Sequence, residues 1–245
     1  MIPAIGVVIP AFNEENAIAR VLGDIPTGLA RQVVVVDNGS TDGTACQAAE
    51  GGAMVVHEPR RGYGQACLAG LGALREVEIV VFLDGDYSDY PEEMPQVVAP
   101  ILEGRADLVI GSRVLGEREK GALLPQARMG NALATWLIRV LFGVTYTDLG
   151  PFRAIRLEAL HRLGMQDCTF GWTVEMQVKA ARLGLRIAEV PVRYRRRLGT
   201  SKVSGTVSGS IRAGYKILLT IFRCAWGRGG DSWTWKSTGS SCRPS

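Results

Sequence analysis

The sequence is poor in the features that would place it quickly. It has five cysteines, Cys46, Cys67, Cys168, Cys224 and Cys242. Their number is odd and no two are close together, which argues against a disulfide framework or a zinc site and suits a reducing cytoplasm. There are two histidines, His57 and His161, and neither has a partner at metal-binding spacing. No apolar run reaches the roughly 18–20 residues needed to cross a bilayer. The opening "MIPAIGVVIP" has no basic segment before its apolar run, so it reads as a first strand and not as a leader. The first strand is not followed by G-x-G-x-x-G, and "GSTDGT" lacks the lysine of a phosphate loop. The net charge of +4 is too mild to imply nucleic acid.

The chain does contain a rhythm of short apolar runs alternating with helical patterns. Strands are expected over 5–10, 32–37, 53–58, 78–84 and 106–113, with helices over 14–25, 44–52, 64–76 and 91–105. The strands are continuously apolar, as expected where both faces of a sheet are covered. The fold class is therefore α/β, a Rossmann-like, mostly parallel sheet flanked by helices. The second half predicts helices over 127–143, 171–184 and 204–226, and strands near 153 and 187. An α/β domain over 1–203, an amphipathic helix over 204–226 and a disordered Gly/Ser/Trp-rich tail over 227–245 complete the organisation.

In such a sheet, ligands bind beyond the carboxyl ends of the strands. Polar clusters follow four of the predicted strands: Asn13-Glu14, Asp37 to Asp42, Asp84-Gly85-Asp86 and Ser112-Arg113. Singly, each could be a turn or a helix cap. Together they mark one rim. Two carboxylates as close as Asp84 and Asp86 repel unless a cation lies between them. Hard oxygen ligands suit Mg²⁺ or Mn²⁺ shared with substrate phosphates, and Gly85 lets a ligand approach the backbone.

The stretches "VVIPAFNEENAI", "VVVVDNGSTDGT", "FLDGDYSDYPEEMP", "IGSR" and "TDLGPFRAIR" occur in this order. As a set they resemble the motifs of a family 2 glycosyltransferase of GT-A fold. The later "GLRIAEVPVRYRRRLGTSK" is similar to the dolichol-phosphate mannose synthase and polyprenyl-phosphate glycosyltransferase branch. The resemblance covers roughly residues 3–222. It implies an inverting transferase that takes a hexose from a UDP- or GDP-linked donor. It would place Pro10, Phe12 and Glu14 beside the base and ribose, with Asp37 contacting either. Asp84 and Asp86 would hold the metal and Gly85 would lie beside the ribose. Arg113 and Arg128 would face phosphates, and Lys202 would reach the diphosphate or the acceptor phosphate. The branch often carries a glutamine two residues past the second aspartate. Here Ser88 stands there, followed by Asp89.

Two acceptors fit. A lipid phosphate is already ionised and needs cations, which Arg193, Arg195, Arg196, Arg197 and Lys202 supply. A hydroxyl needs a general base, for which Glu175 is the candidate and Asp148 the runner-up. The 204–226 helix combines an apolar face, basic flanks and an aromatic end, which suits peripheral contact with the cytoplasmic face of a membrane. The alternative is packing on the domain or on a second subunit of a homo-oligomer.

Overall fold

The computed structural model describes residues 3–199 and 207–226. Lys202 and the tail after residue 226 lie outside them. Seven strands form one sheet: β1 (Ile5–Ala11), β2 (Gln32–Asp37), β3 (Met54–His57), β4 (Ile79–Phe82), β5 (Leu108–Ser112), β6 (Arg153–Arg156) and β7 (Ile187–Pro191). Their spatial order is β3-β2-β1-β4-β6-β5-β7. All neighbours run parallel except β6, which is antiparallel to β4 and to β5.

The apolar runs split by parity between two cores. Val8, Val34, Val36, Val80 and Phe82 face one layer of helices. Val7, Ile9, Val35, Ile79 and Val81 face the other. A strand buried on both sides has no face left for polar residues, which explains the unbroken valines. The first layer holds α3 (Tyr63–Ala73), α5 (Pro125–Phe142), α6 (Leu157–Leu163), α7 (Trp172–Arg182) and α8 (Val207–Trp226). The second holds α1 (Ile18–Gly23), α2 (Thr44–Glu50) and α4 (Met94–Leu102).

Two prolines, Pro95 and Pro100, lie within α4 without breaking it. Pro95 falls in its first turn, where no backbone donor is needed. Pro100 lies near its end, and its carbonyl accepts from the N–H groups of Arg105 and Ala106. Helix α5 begins with Pro125 and ends at Gly143 with φ 70°, a left-handed stop that glycine adopts without steric cost.

Register fixes the functional rim. Ala11 lies beside Asp37, and Val8 beside Phe82, which brings the acidic stretch after β4 level with Pro10 and Ala11. Because β6 runs backwards, its first residue, Arg153, pairs with both Phe82 and Ile110. Its antiparallel entry delivers residues 148–150 to the same rim as the ends of β4 and β5. The cysteines serve varied roles: Cys67 is buried and Cys46 exposed. Cys224 is also a free thiol, and Cys168 is disulfide-bonded.

Candidate active site

Two loops at the ends of β1 and β2 are knitted together by short polar side chains. The Asn13 backbone N–H donates to Ser40 Oγ at 2.9 Å, and Asn13 Oδ1 accepts from the Thr41 N–H at 2.8 Å. The Glu14 N–H donates to Thr44 Oγ1 at 2.8 Å. Asp37 Oδ1 accepts from the Ser40 N–H at 2.8 Å, and its Oδ2 lies 3.1 Å from His57 Nδ1. Burial alone would raise the Asp37 pKa, but these hydrogen bonds hold it below its ordinary value. Phe12 is half-buried at the edge of this bay, with the guanidinium of Arg61 3.5 Å from its ring centroid. Pro10, Phe12, Glu14 and Asp37 therefore share one bay.

The next bay holds the acids. A Cβ on Gly85 would stand 3.2 Å from the Pro10 carbonyl, so the turn after β4 presses against β1. Asp84 Oδ1 accepts from the Tyr63 hydroxyl at 3.0 Å. Asp86 Oδ1 accepts from the Ser88 N–H at 2.9 Å and hydroxyl at 2.6 Å. Asp86 Oδ2 is 2.8 Å from Arg197 Nη2. Asp89 is 1% exposed, and neither of its carboxylate oxygens has a hydrogen-bond partner of good geometry.

Negative charge outweighs its compensation here. Burial, then the charge of Asp86, pushes the Asp84 pKa up to about 6 against the pull of Arg197, Tyr63 and Arg113. Burial and the charges of Asp84 and Asp86 raise Asp89 well above the carboxylate range. These shifts have the sign expected of carboxylates crowded together without enough positive charge.

The cations divide into those that hold the fold and those that line the bay. Arg113 meets Asp148 in a two-pronged pair, Nε to Oδ2 and Nη2 to Oδ1, both 2.8 Å, and its backbone N–H also donates to Oδ2 at 2.8 Å. Arg113 borders the cavity, yet this guanidinium is committed to a buried carboxylate. Asp148 in turn has both oxygens occupied by it. Glu175 accepts from the Gln166 N–H at 3.1 Å and the Asp167 N–H at 2.8 Å, and lies 2.7 Å from Lys179 Nζ. It fastens the loop before α7. Arg128 is exposed in the first turn of α5.

The run 193–197 separates in the same way. Arg193 pairs with Glu92 and Glu93. Arg195 lies over the rings of Tyr87 and Tyr90, at 3.3 and 4.1 Å, and donates to the carbonyls of Tyr87 and Asp89. Arg196 donates to the Lys120 carbonyl. Arg196 and Arg197 line a cavity of about 490 Å³, together with Asp84, Tyr63, Arg113, Leu124, Ala127, Tyr194 and Ile217.

Sequence reasoning passed over Tyr63, whose only signal was its place at the start of a helix. It passed over Arg61, in "PRRG", because a loop arginine has no periodicity. Arg153, fully buried, donates to the carbonyls of Leu149, Gly150 and Thr173 and so ties the 148–150 loop to α7. An arginine opening a short strand gives no hint of burial.

Comparison with known proteins identifies the family and the fold. The model of the glycosyl transferase family 2 matches residues 6–164. An uncharacterized glycosyltransferase of Mycobacterium tuberculosis is 42% identical over 212 residues, 86% of this chain and 94% of that protein. The undecaprenyl-phosphate mannosyltransferase of Micrococcus luteus is 33% identical over 82% of this chain and 88% of its own. The dolichyl-phosphate hexose transferase of Haloferax volcanii is 36% identical over 84% and 89%. Among solved structures, glucosyl-3-phosphoglycerate synthase from Mycobacterium tuberculosis, crystallised with Mn²⁺, UDP-glucose and phosphoglyceric acid, superposes with a TM-score of 0.74 at 28% identity. That match covers 93% of this chain and 82% of that one.

Proposed function

The chain belongs to glycosyltransferase family 2, and from that premise we propose that it moves a hexose, with inversion, from a UDP- or GDP-linked donor to a polyprenyl phosphate at a membrane surface. The relatives named for undecaprenyl-phosphate and dolichyl-phosphate transfer support this acceptor. The observation that carries it is that both carboxylates considered as general bases are already engaged. Asp148 is gripped by Arg113, and Glu175 by two backbone amides and Lys179. A phosphate acceptor is ionised at neutral pH and requires no base.

Asp84 and Asp86 would hold a Mg²⁺ or Mn²⁺ ion. The donor set fits: hard oxygens, an excess of carboxylate charge and the unsatisfied Asp89 oxygens beside them. Among the described residues no three His, Cys, Asp or Glu side chains are grouped as a ready-made site. Two protein ligands completed by diphosphate oxygens and water is the usual arrangement for magnesium. Bound there, the cation would neutralise the diphosphate as it departs.

The chain's own residues supply the rest. The Tyr63 hydroxyl fixes the orientation of Asp84, and Ser88 fixes that of Asp86. Phe12 offers an aromatic edge to a base, and Asp37 a carboxylate held in its charged form to a ribose or base. Arg196 and Arg197 line the cavity where an anionic acceptor would enter, and we assign Lys202, outside the described residues, to the same phosphates.

A second reading keeps the donor site and exchanges the acceptor for a phosphorylated small molecule, as favoured by the similarity to glucosyl-3-phosphoglycerate synthase. Radiolabelled UDP-glucose and GDP-mannose, each incubated with Mn²⁺ and either undecaprenyl phosphate in detergent or 3-phosphoglycerate, separate the two. Label in an acid-labile, solvent-extractable product supports the first reading. Label confined to a water-soluble product refutes it in favour of the second.

A further inference from the structure

Surface helices of globular proteins turn polar residues outward, and α5 departs from this along one apolar stripe. Its inner face is Ala134, Thr135 and Ile138, all buried. Its outer face is Met129, Leu133, Trp136 and Val140, exposed by 74, 47, 56 and 61%. The spacing of four, three and four residues puts these side chains in one stripe along the helix. Contiguous exposed apolar surface of this kind marks an interaction site.

We propose that this stripe of α5 is a docking surface for an anionic lipid bilayer. The reading rests on the lipid-phosphate acceptor proposed above and extends it to a helix that the sequence did not single out. Three observations choose lipid as the occupant. First, charge: the exposed basic residues of α5 and the adjoining α8 are Arg128, Arg139 and Arg223, Lys216 is paired with Asp167, and neither helix contains an acidic residue. A second copy of the chain laid on the same face would bring like charges together, whereas anionic headgroups would neutralise them. Second, the aromatic residues are exposed: Trp136 on α5 and Tyr215 on α8, a residue type suited to the headgroup boundary. Third, the cavity containing Asp84 and Arg197 is walled by Leu124 and Ala127, at the start of α5, and by Ile217 of α8. A lipid whose phosphate enters that cavity would leave its chain beside the apolar stripe. No described helix is long and apolar enough to cross the bilayer, so contact through this surface would be peripheral.

Flotation of the full chain with vesicles of phosphatidylcholine alone, or with one quarter phosphatidylglycerol, gives the test. The Trp136→Gln/Val140→Gln variant alters exposed positions away from the cavity lining, and circular dichroism verifies its fold. The intact chain should float with the anionic vesicles and not with the neutral ones, and the variant should bind at least tenfold more weakly. Its turnover of a short-chain polyprenyl phosphate in detergent, where docking has no part, should equal that of the intact chain. Equal flotation of variant and parent overturns the proposal. So does an intact chain that ignores both vesicles while sedimenting as a dimer that the variant loses. Failure of the detergent assay with flotation intact instead rejects the acceptor reading and leaves the docking surface standing.

Discussion

In the sequence Glu175 is the candidate general base and Asp148 the runner-up, and the structure gives each a different counterpart. Asp148 is buried against Arg113, and removing one member of a buried charged pair commonly costs about 3–5 kcal/mol. Asp148→Asn should lower unfolding stability in urea by that amount, while Arg113→Met/Asp148→Leu should recover most of it. Glu58 provides a pH-dependent case. Its carboxylate, bonded by Arg60 and also by Gln65, titrates at about 2, below its ordinary value of 4.5. A depressed carboxylate contributes stability above its unfolded pKa and loses it as the pH falls through the folded one. Because Arg60 is half exposed, the contribution is discounted to about 1 kcal/mol. Glu58→Gln should thus be less stable than the parent at pH 7, with the difference closing between pH 4.5 and 2 in thermal unfolding scans. At the acid cluster, Asp86→Asn should reduce transfer by about 100-fold, the upper end of the roughly 10–100-fold loss typical of outer-shell metal partners, with an unchanged circular dichroism spectrum.

At the scale of elements, most of the architecture was legible. Unbroken valines announced buried parallel strands because no polar residue can sit on a strand covered on both faces. Gly143 announced the end of α5 because few other residues take φ 70° without strain. The reversed direction of β6 was not legible, since a four-residue strand carries no mark of its orientation. Nor was the seating of α3. A Cβ on Gly64 would fall 1.9 Å from the Asp167 carbonyl oxygen, so this helix start packs directly on the backbone that Glu175 fastens. Gly64→Ala must push two backbones apart and should cost about 2–4 kcal/mol, read as a lower urea midpoint. An unchanged midpoint would mean that the 166–169 loop yields freely.

Across the whole molecule, the site is a property of the rim and not of any single motif. Asp84 and Asp86 were readable because two acids at a strand end conflict electrostatically, and in the structure burial, with the charge of Asp86 added to it, raises the pKa of Asp84. Arg197 was readable only as one of three consecutive arginines. Which of them would meet Asp86 depended on how the chain leaves β7, and neighbouring side chains of identical chemistry give no clue to that. Tyr63 came from a different helix altogether, and nothing in the sequence marks Asp89 as buried with both carboxylate oxygens unsatisfied. We propose that these elements together form a metal-dependent nucleoside diphosphate site. Thermal unfolding with UDP, GDP and ADP, each with and without Mn²⁺, addresses it most directly. At about 100 times its dissociation constant a ligand adds about 2.7 kcal/mol, or roughly 5–10 °C for a chain of this size. One uridine or guanosine diphosphate should give that shift, only with Mn²⁺, and Asp86→Asn should abolish it. An equal shift without metal, or one that survives in Asp86→Asn, would rule out a metal-dependent site at Asp84 and Asp86.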